Sequence, residues 1–323
     1  MPHIDCEGRR LALAPGETVL DALLSSGISV ASSCRAGACQ ACLVQATRGT
    51  PPPAAQQGIK ESLRLQGYFL ACQARPEADL EVSVSGARSL ELPARVSSVE
   101  RLAKDVLRVW VETETPLVFR SGQYLTLTRG DGLARAYSIA GGSRVAPELL
   151  ELHVRVLADG RMSGWLAGDA AVGAPVRVRG ALGDCFYVPG SPEQVLTLIG
   201  TGTGLAPLWG VLQDALAAGH TGSIELWHGA RDPSGLYMDQ ELARLVRLNP
   251  QLSYQRCVLQ GEAGPELHVG RLDELVLERG LSFAGRRVYL CGDPALVRSL
   301  KRQVFLRGAS LSQIHADAFV GAA

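Results

Sequence analysis

The sequence predicts a multidomain α+β and α/β protein built in three successive parts. Three observations predict it. The first region is Cys-rich with one short amphipathic helix, the middle region has six short β-rich runs split by Gly, Pro and Asp, and the last alternates strand and helix. The expected boundaries are 1–86 for a small α+β unit, 87–92 for a linker, 93–190 for an all-β barrel or sandwich, and 191–323 for a doubly wound parallel sheet.

In the first part, His3–Glu7 and Arg10–Ala14 can pair across Gly8. Thr18 with Asp21 three residues on is a capping-box signal; Leu20, Leu23 and Leu24 then form one apolar helical face, and Gly27 ends the helix. Leu80–Val84 alternates as a strand. In the middle part the expected strands are Arg95–Val99, Val106–Glu112, Tyr124–Thr128, Ala136–Ala140, Leu149–Val156 and Pro175–Arg179, with a short helix at Met162–Leu166. In the last part, strands at Val195–Ile199, Ile224–His228, Leu252–Leu259 and Arg287–Cys291 are interleaved with helices at Ala206–Ala218, Asp239–Leu248 and Pro294–Leu306.

Composition narrows the function. The 32 basic and 32 acidic side chains cancel, which removes the electrostatic argument for nucleic acid or an anionic membrane. Val195–Leu212 is uncharged and long enough to raise the question of a membrane helix, but Gly-Thr-Gly-Thr-Gly and a Pro in its middle read as strand, turn and helix start. The first residues lack the apolar stretch of a secretory signal, so the expectation is a cytoplasmic protein without membrane or nucleic-acid partners. Eight Cys in a large chain with no export signal point to metal rather than to a disulfide framework.

Cys34, Cys39, Cys42 and Cys72 form C-x4-C-x2-C-x29-C, whose first part is the plant-type spacing of a [2Fe–2S] cluster. Each iron takes two thiolates, so a tight loop supplies three ligands and a distant segment the fourth. The small residues among Arg35, Ala36, Gly37, Ala38, Gln40 and Ala41 let backbone N–H groups approach the sulfurs. A zinc ribbon would show a second C-x2-C, and a thiol redox pair would need neither Cys34 nor Cys72. Cys6 reads as a packed strand residue.

Two further constellations concern nucleotides. Arg135-Ala136-Tyr137-Ser138 lies on an expected barrel strand, followed by His153-Val154-Arg155 and then Gly160-Arg161-Met162-Ser163. Arg135 can neutralise one phosphate and the amides of a helix start near Ser163 another, while Tyr137 can cover a flavin ring and Ser138 can bond its reactive nitrogen. Gly200-Thr201-Gly202-Thr203-Gly204 joins a buried strand to a helix whose N-terminus favours pyrophosphate. Cys291-Gly292-Asp293-Pro294 ends the last of these strands, with Asp293 as the cap of the next helix and Pro294 in its first turn.

In this order the motifs R-x-Y-S, G-T-G-T-G-L-A-P and C-G-D-P, behind a cluster region, resemble the ferredoxin–NADP⁺ reductase superfamily. They resemble most closely the single-chain reductase components of bacterial oxygenases, over essentially the whole chain. The resemblance implies a β-grasp [2Fe–2S] ferredoxin domain, a six-stranded antiparallel FAD barrel and an NAD(P) domain. It implies that Arg135, Tyr137, Ser138, Val154 and Gly160–Ser163 hold FAD, and that Thr201–Pro207, including Leu205 and Ala206, hold the pyridine nucleotide. Cys291 would lie near the nicotinamide, and Asp317-Ala318-Phe319 would form the acidic and aromatic terminal element beside the flavin. The implied activity takes hydride from NAD(P)H to FAD and single electrons through the cluster to a separate acceptor, an oxygenase; a deoxysugar dehydrase as acceptor, or a redox sensor without turnover, are the rival readings. Arg231 could bind a 2′-phosphate and Asp232 would repel it, and the expectation is NADH. The chain departs from the family at Gly-Thr-Gly-Thr-Gly and at Cys185 within Gly-Ala-Leu-Gly-Asp-Cys-Phe.

Overall fold

The computed structural model describes residues 2–32, 34–37, 40–84, 91–142, 146–168, 171–278 and 282–319. Contacts divide the chain into two compact units, Met1–Ser89 and Leu90–Ala323.

The first unit is a five-stranded sheet with a helix against it. Strands β1 (His3–Cys6) and β2 (Arg9–Ala12) form the expected hairpin, and helix α1 (Val19–Ser25) follows. The capping box is complete: the Asp21 amide donates to Thr18 Oγ1 at 3.2 Å and the Thr18 amide to Asp21 Oδ2 at 3.4 Å. Gly27 ends α1 with φ of 76°, and the Ile28 amide closes back onto the Leu23 carbonyl at 2.9 Å. Strand β3 (Leu43–Arg48), the short helix α2 (Glu61–Arg64), β4 (Tyr68–Leu70) and β5 (Leu80–Ser83) complete the order β2-β1-β5-β3-β4. Ile4, Leu20, Leu23, Val44, Phe69 and Leu80 form its closed core.

The second unit joins a barrel to a parallel sheet. Strands β6 (Leu92–Ala103), β7 (Val106–Thr113), β8 (Tyr124–Arg129), β9 (Ala134–Gly142), β10 (Leu149–Arg155) and β11 (Pro175–Leu182) close in the order β10-β7-β6-β11-β8-β9, all antiparallel, with helix α3 (Arg161–Leu166) between β10 and β11. Leu92 already belongs to β6, so the strand begins inside the stretch expected as a linker; residues 87–90 of that stretch lie outside the described residues. Alternation sets the two faces: Leu150, Leu152 and Val154 of β10 fill the barrel, and Glu151, His153 and Arg155 point away from it.

The parallel sheet is built from β12 (Leu196–Thr201), β13 (Ile224–Ala230), β14 (Leu252–Val258), β15 (Leu267–Val269), β16 (Arg287–Gly292) and β17 (Ile314–Ala318), in the order β15-β14-β13-β12-β16-β17. Helices α4 (Leu205–Ala217), α5 (Asp239–Leu248), α6 (Leu272–Glu278) and α7 (Pro294–Leu306) connect them. The order reverses between β12 and β16, which is where open parallel sheets bind ligands at their carboxyl ends. Helix α4 lies against the barrel. A side chain at Gly210 would come within 2.6 Å of Ser121 Cβ and 2.8 Å of the Ala140 carbonyl, so only glycine allows that approach.

Candidate functional site

The cluster region belongs to the first unit. Cys42 and Cys72 are buried, Cys34 is exposed, and Cys39 lies outside the described residues. Arg35, Gly37 and Gln40 all take positive φ, at 51°, 79° and 55°, which curls the loop tightly. The Ala36 amide donates to Cys34 Sγ at 3.4 Å, as a cluster-binding loop requires. Burial and the neighbouring Cys72 push the Cys42 thiol up; a metal that binds the two thiolates and displaces their protons to solvent relieves that cost. Among the described residues, no three His, Cys, Asp or Glu side chains converge on one point. Gln73, which the sequence reading passed over, donates to the Arg35 carbonyl at 2.9 Å and approaches Cys72 Sγ at 3.5 Å, so it ties the loop to the distant cysteine.

The second unit holds a cavity of about 1830 Å³ between the barrel and the carboxyl ends of the parallel strands. Pockets for one small molecule reach roughly 1,000 Å³, so this one has room for two nucleotides. Its barrel wall carries Arg135, Ala136, Tyr137, Ser138, His153, Arg155 and the segment Gly160, Arg161, Met162 and Ser163. The opposite wall carries Thr201, Gly202, Thr203, Ala206, Arg231, Gly292, Asp293 and Pro294, with Asp317 and Phe319 of the terminal element.

Val154, Gly200, Gly204, Leu205, Pro207 and Cys291 are not among the lining residues. Val154 packs inside the barrel. Gly200 and Gly204 serve protein packing: a Cβ would meet Leu208 Cδ1 at 2.7 Å from Gly200 and the Cys291 carbonyl at 2.4 Å from Gly204. Gly202 differs, with φ of 52° and open space where a side chain would stand. Cys291 is fully buried with its sulfur 3.4 Å from Cys185 Sγ, and burial and Cys185 push its thiol up. Its neighbour Gly292, not its thiol, faces the cavity.

Across the cavity, Ser138 Oγ donates to Asp317 Oδ2 at 3.1 Å. Burial raises Asp317 above the usual carboxylate range, with Asp184 adding like charge and Ser138 partly opposing both. Burial pushes Tyr137 up to about 12, so its phenol stays neutral. The Phe319 amide donates to the Gly292 carbonyl at 2.8 Å and fixes the terminal element against β16. Thr201 Oγ1 accepts from the Asp293 amide at 3.1 Å, and Asp293 Oδ1 caps α7 through the Ala295 and Leu296 amides, both at 2.9 Å. Ser163 Oγ accepts from the Leu157 amide at 3.1 Å and so shapes the turn into α3. Asp232 is spent on its own turn, accepting from the Ser234 amide at 3.0 Å and from its hydroxyl. Both ring nitrogens of His153 are engaged, with Tyr237 and Glu151.

Comparison with known proteins agrees with this layout. Residues 3–77 match the 2Fe-2S iron-sulfur cluster binding domain, 93–187 the oxidoreductase FAD-binding domain and 198–302 the oxidoreductase NAD-binding domain. The chain is 35% identical to the aromatic O-demethylase reductase subunit of Amycolatopsis sp., over 98% of this chain and 97% of the relative. It is 31% identical to the ferredoxin–NAD(P)⁺ reductase component of the naphthalene 1,2-dioxygenase/salicylate 5-hydroxylase systems of Ralstonia sp., over 94% of each. The crystal structure of the Amycolatopsis cytochrome P450 reductase GcoB superposes with a TM-score of 0.68 at 32% identity, covering all of both chains.

Proposed function

The chain belongs to the ferredoxin–NAD(P)⁺ reductase superfamily, as a single-chain protein with [2Fe–2S], FAD and NAD domains, and from that premise we propose that it supplies electrons from NADH to a separate oxygenase component acting on aromatic compounds. It is an NAD(P)H-dependent flavin and iron–sulfur oxidoreductase. FAD, when bound, accepts hydride and gives up its two electrons singly, which joins a two-electron donor to a one-electron cluster. The observation that carries the reading is that one cavity has Arg135–Ser138 on one wall and Thr201–Thr203 with Asp317 and Phe319 on the other.

The chain's own residues hold, orient and move a proton. Arg135 offers a guanidinium to a phosphate of FAD, and Tyr137 a neutral aromatic face. Thr201–Thr203 offer amides at the start of α4 to the pyrophosphate of NADH. Ser138 donates its hydroxyl hydrogen bond to Asp317 and keeps its oxygen as an acceptor towards the cavity. Asp317, with its raised pKa, can hold or release a proton at Ser138 Oγ. Cys34, Cys39, Cys42 and Cys72 are the proposed cluster ligands, with Gln73 fixing the last one. Among the described residues no helix is long and apolar enough to cross a membrane, which fits the proposed cytoplasmic location.

The relatives named above serve aromatic demethylation and dioxygenation, which favours an oxygenase over a sugar dehydrase as the acceptor. Arg231 lines the cavity beside Asp232, whose charge would repel a 2′-phosphate, and this supports NADH. The test is an anaerobic one. NADH should bleach the flavin and then the cluster, and the reduced protein should reoxidise with a terminal oxygenase but not with a sugar dehydrase. A kcat/KM about tenfold higher with NADPH would overturn the NADH assignment.

A further inference from the structure

The outer face of β10 carries a buried Glu and a buried His, an expensive choice on a barrel wall. Glu151 lies 2.8 Å from Arg108 Nε, and Arg108 also reaches Glu100 at 3.0 Å and Glu241 of α5 at 3.5 Å. His153 Nε2 is 3.0 Å from Glu151 Oε1, and its Nδ1 is 3.1 Å from Tyr237 Oη. The arrangement that satisfies every group has Nε2–H donating to Glu151 and the Tyr237 hydroxyl donating to Nδ1. Burial pushes Glu151 up, but His153 and Arg108 outweigh it and hold the carboxyl below its usual range.

Tyr237 comes from the nucleotide-binding half. It is fully buried, and its ring meets His153 edge-on at 5.4 Å on one side and His228 edge-on at 5.4 Å on the other. His228 stands near the carboxyl end of β13 beside the Gly202 turn, stacks on Tyr254, and is kept neutral by burial, which pushes it down to about 4. Tyr254 Oη in turn donates to Asp239 at 2.9 Å. Met238, next to Tyr237, adopts φ of 65° although it is not glycine, and its sulfur contacts Arg108 Nη2 at 2.9 Å. Such a conformation persists only where the surroundings enforce it, and here it drives the Tyr237 hydroxyl into the barrel face.

We infer that the Tyr237–His153 hydrogen bond is a latch that sets the spacing between the flavin strand β10 and the nucleotide turn at Gly202, which makes Tyr237 a positioning residue for hydride transfer. This rests on the reductase reading above. One end of the chain lines the cavity at His153 and the other abuts Gly202, so the latch spans the two walls. Reacting atoms must lie ~3–3.5 Å apart, and a shift of about 1 Å costs up to ~10²-fold, so a latch of one hydrogen bond has a large lever.

The test compares Tyr237→Phe, which keeps the ring and removes the hydroxyl, with Glu241→Gln, which loosens the same seam at its rim. In stopped flow with saturating NADH, Tyr237→Phe should lower the limiting rate of flavin bleaching about tenfold, with the dissociation constant for NADH within about twofold of the parent. Glu241→Gln should leave the limiting rate within about twofold. Amide hydrogen exchange of the FAD-loaded, nucleotide-free protein should speed up in both 149–155 and 233–238 in Tyr237→Phe. Four results would overturn the latch: an unchanged limiting rate, a loss confined to NADH affinity, an equal slowing in Glu241→Gln, or a variant that purifies without FAD. A parent protein that NADH and NADPH both fail to bleach would defeat the reductase reading itself, a result separate from any of these four.

Discussion

Ser138 and Asp317 are 179 positions apart in the chain and meet across one cavity. Replacing Ser138 with Ala removes the acceptor oxygen and should slow flavin reduction roughly 10²-fold while FAD stays bound, as read by stopped flow and by flavin content. Asp317 carries a pH consequence of definite sign. Its folded pKa is raised, so between the ordinary carboxylate value and its own the folded chain keeps a proton that the unfolded chain has released. Stability therefore falls as pH rises through that window, and Asp317→Asn should flatten the fall in thermal midpoints measured across it. Ser138 was legible from its motif on an expected barrel strand, Asp317 only through the family resemblance. Tyr237 was not legible, because its partner His153 stands 84 positions away and nothing local marks the pair. Cys185 stood out as an oddity, but its place against Cys291 needed the fold.

Among the elements, the turn from β12 into α4 separates two kinds of glycine. Gly202→Ala forces a left-handed conformation at about 1 kcal/mol and puts a methyl where the nucleotide is expected, so it should weaken NAD⁺ binding more than it lowers the thermal midpoint. Gly204→Ala drives a methyl against the Cys291 carbonyl and should cost about 1–3 kcal/mol of stability, with the larger fall in midpoint of the two. Calorimetry and nucleotide titration of the pair check both statements. The long periodic elements were readable: α5 and α7 run over the residues expected for them, α7 with Asp293 as its cap and Pro294 in its first turn. Some of the short ones were not. Strands β4 and β15 have three residues each, too few for alternation to register. Strand β17, Ile-His-Ala-Asp-Ala, lies at the edge of the sheet with a buried His and a half-buried Asp, and so lacks the apolar signature of a buried strand. Helix α6 is seven residues long, two turns, below the length at which helical periodicity separates from a buried strand.

At the scale of the molecule, the first unit keeps its own core, from Ile4 to Val82, and the proposed cluster ligands all lie within it. Cys72→Ser should therefore bring iron content towards zero and abolish cytochrome c reduction, yet leave the FAD spectrum and ferricyanide reduction by NADH in place. Iron assay and both activities on one preparation check it; retention of two irons per chain would remove Cys72 from the ligand set, and loss of FAD would show that the units depend on each other. The tripartite order was legible because each part has its own pattern: clustered thiols, period-two runs, and strand–helix alternation. The seam between barrel and parallel sheet was not, since it is made by side chains such as Glu151 and Tyr237 whose sequence positions look ordinary. The closure of the barrel has a consequence for how the chain is made. Strand β6 finds β7 at once, but its other edge pairs with β11, with Arg95 opposite Pro175. On the ribosome that edge waits through roughly 70 residues of synthesis, or several seconds at ~5–20 residues per second. The stretch that β11 later covers, Leu92–Arg95, is an open edge until then and an invitation to intermolecular pairing, and Arg95 supplies a charge there that discourages it until β11 arrives.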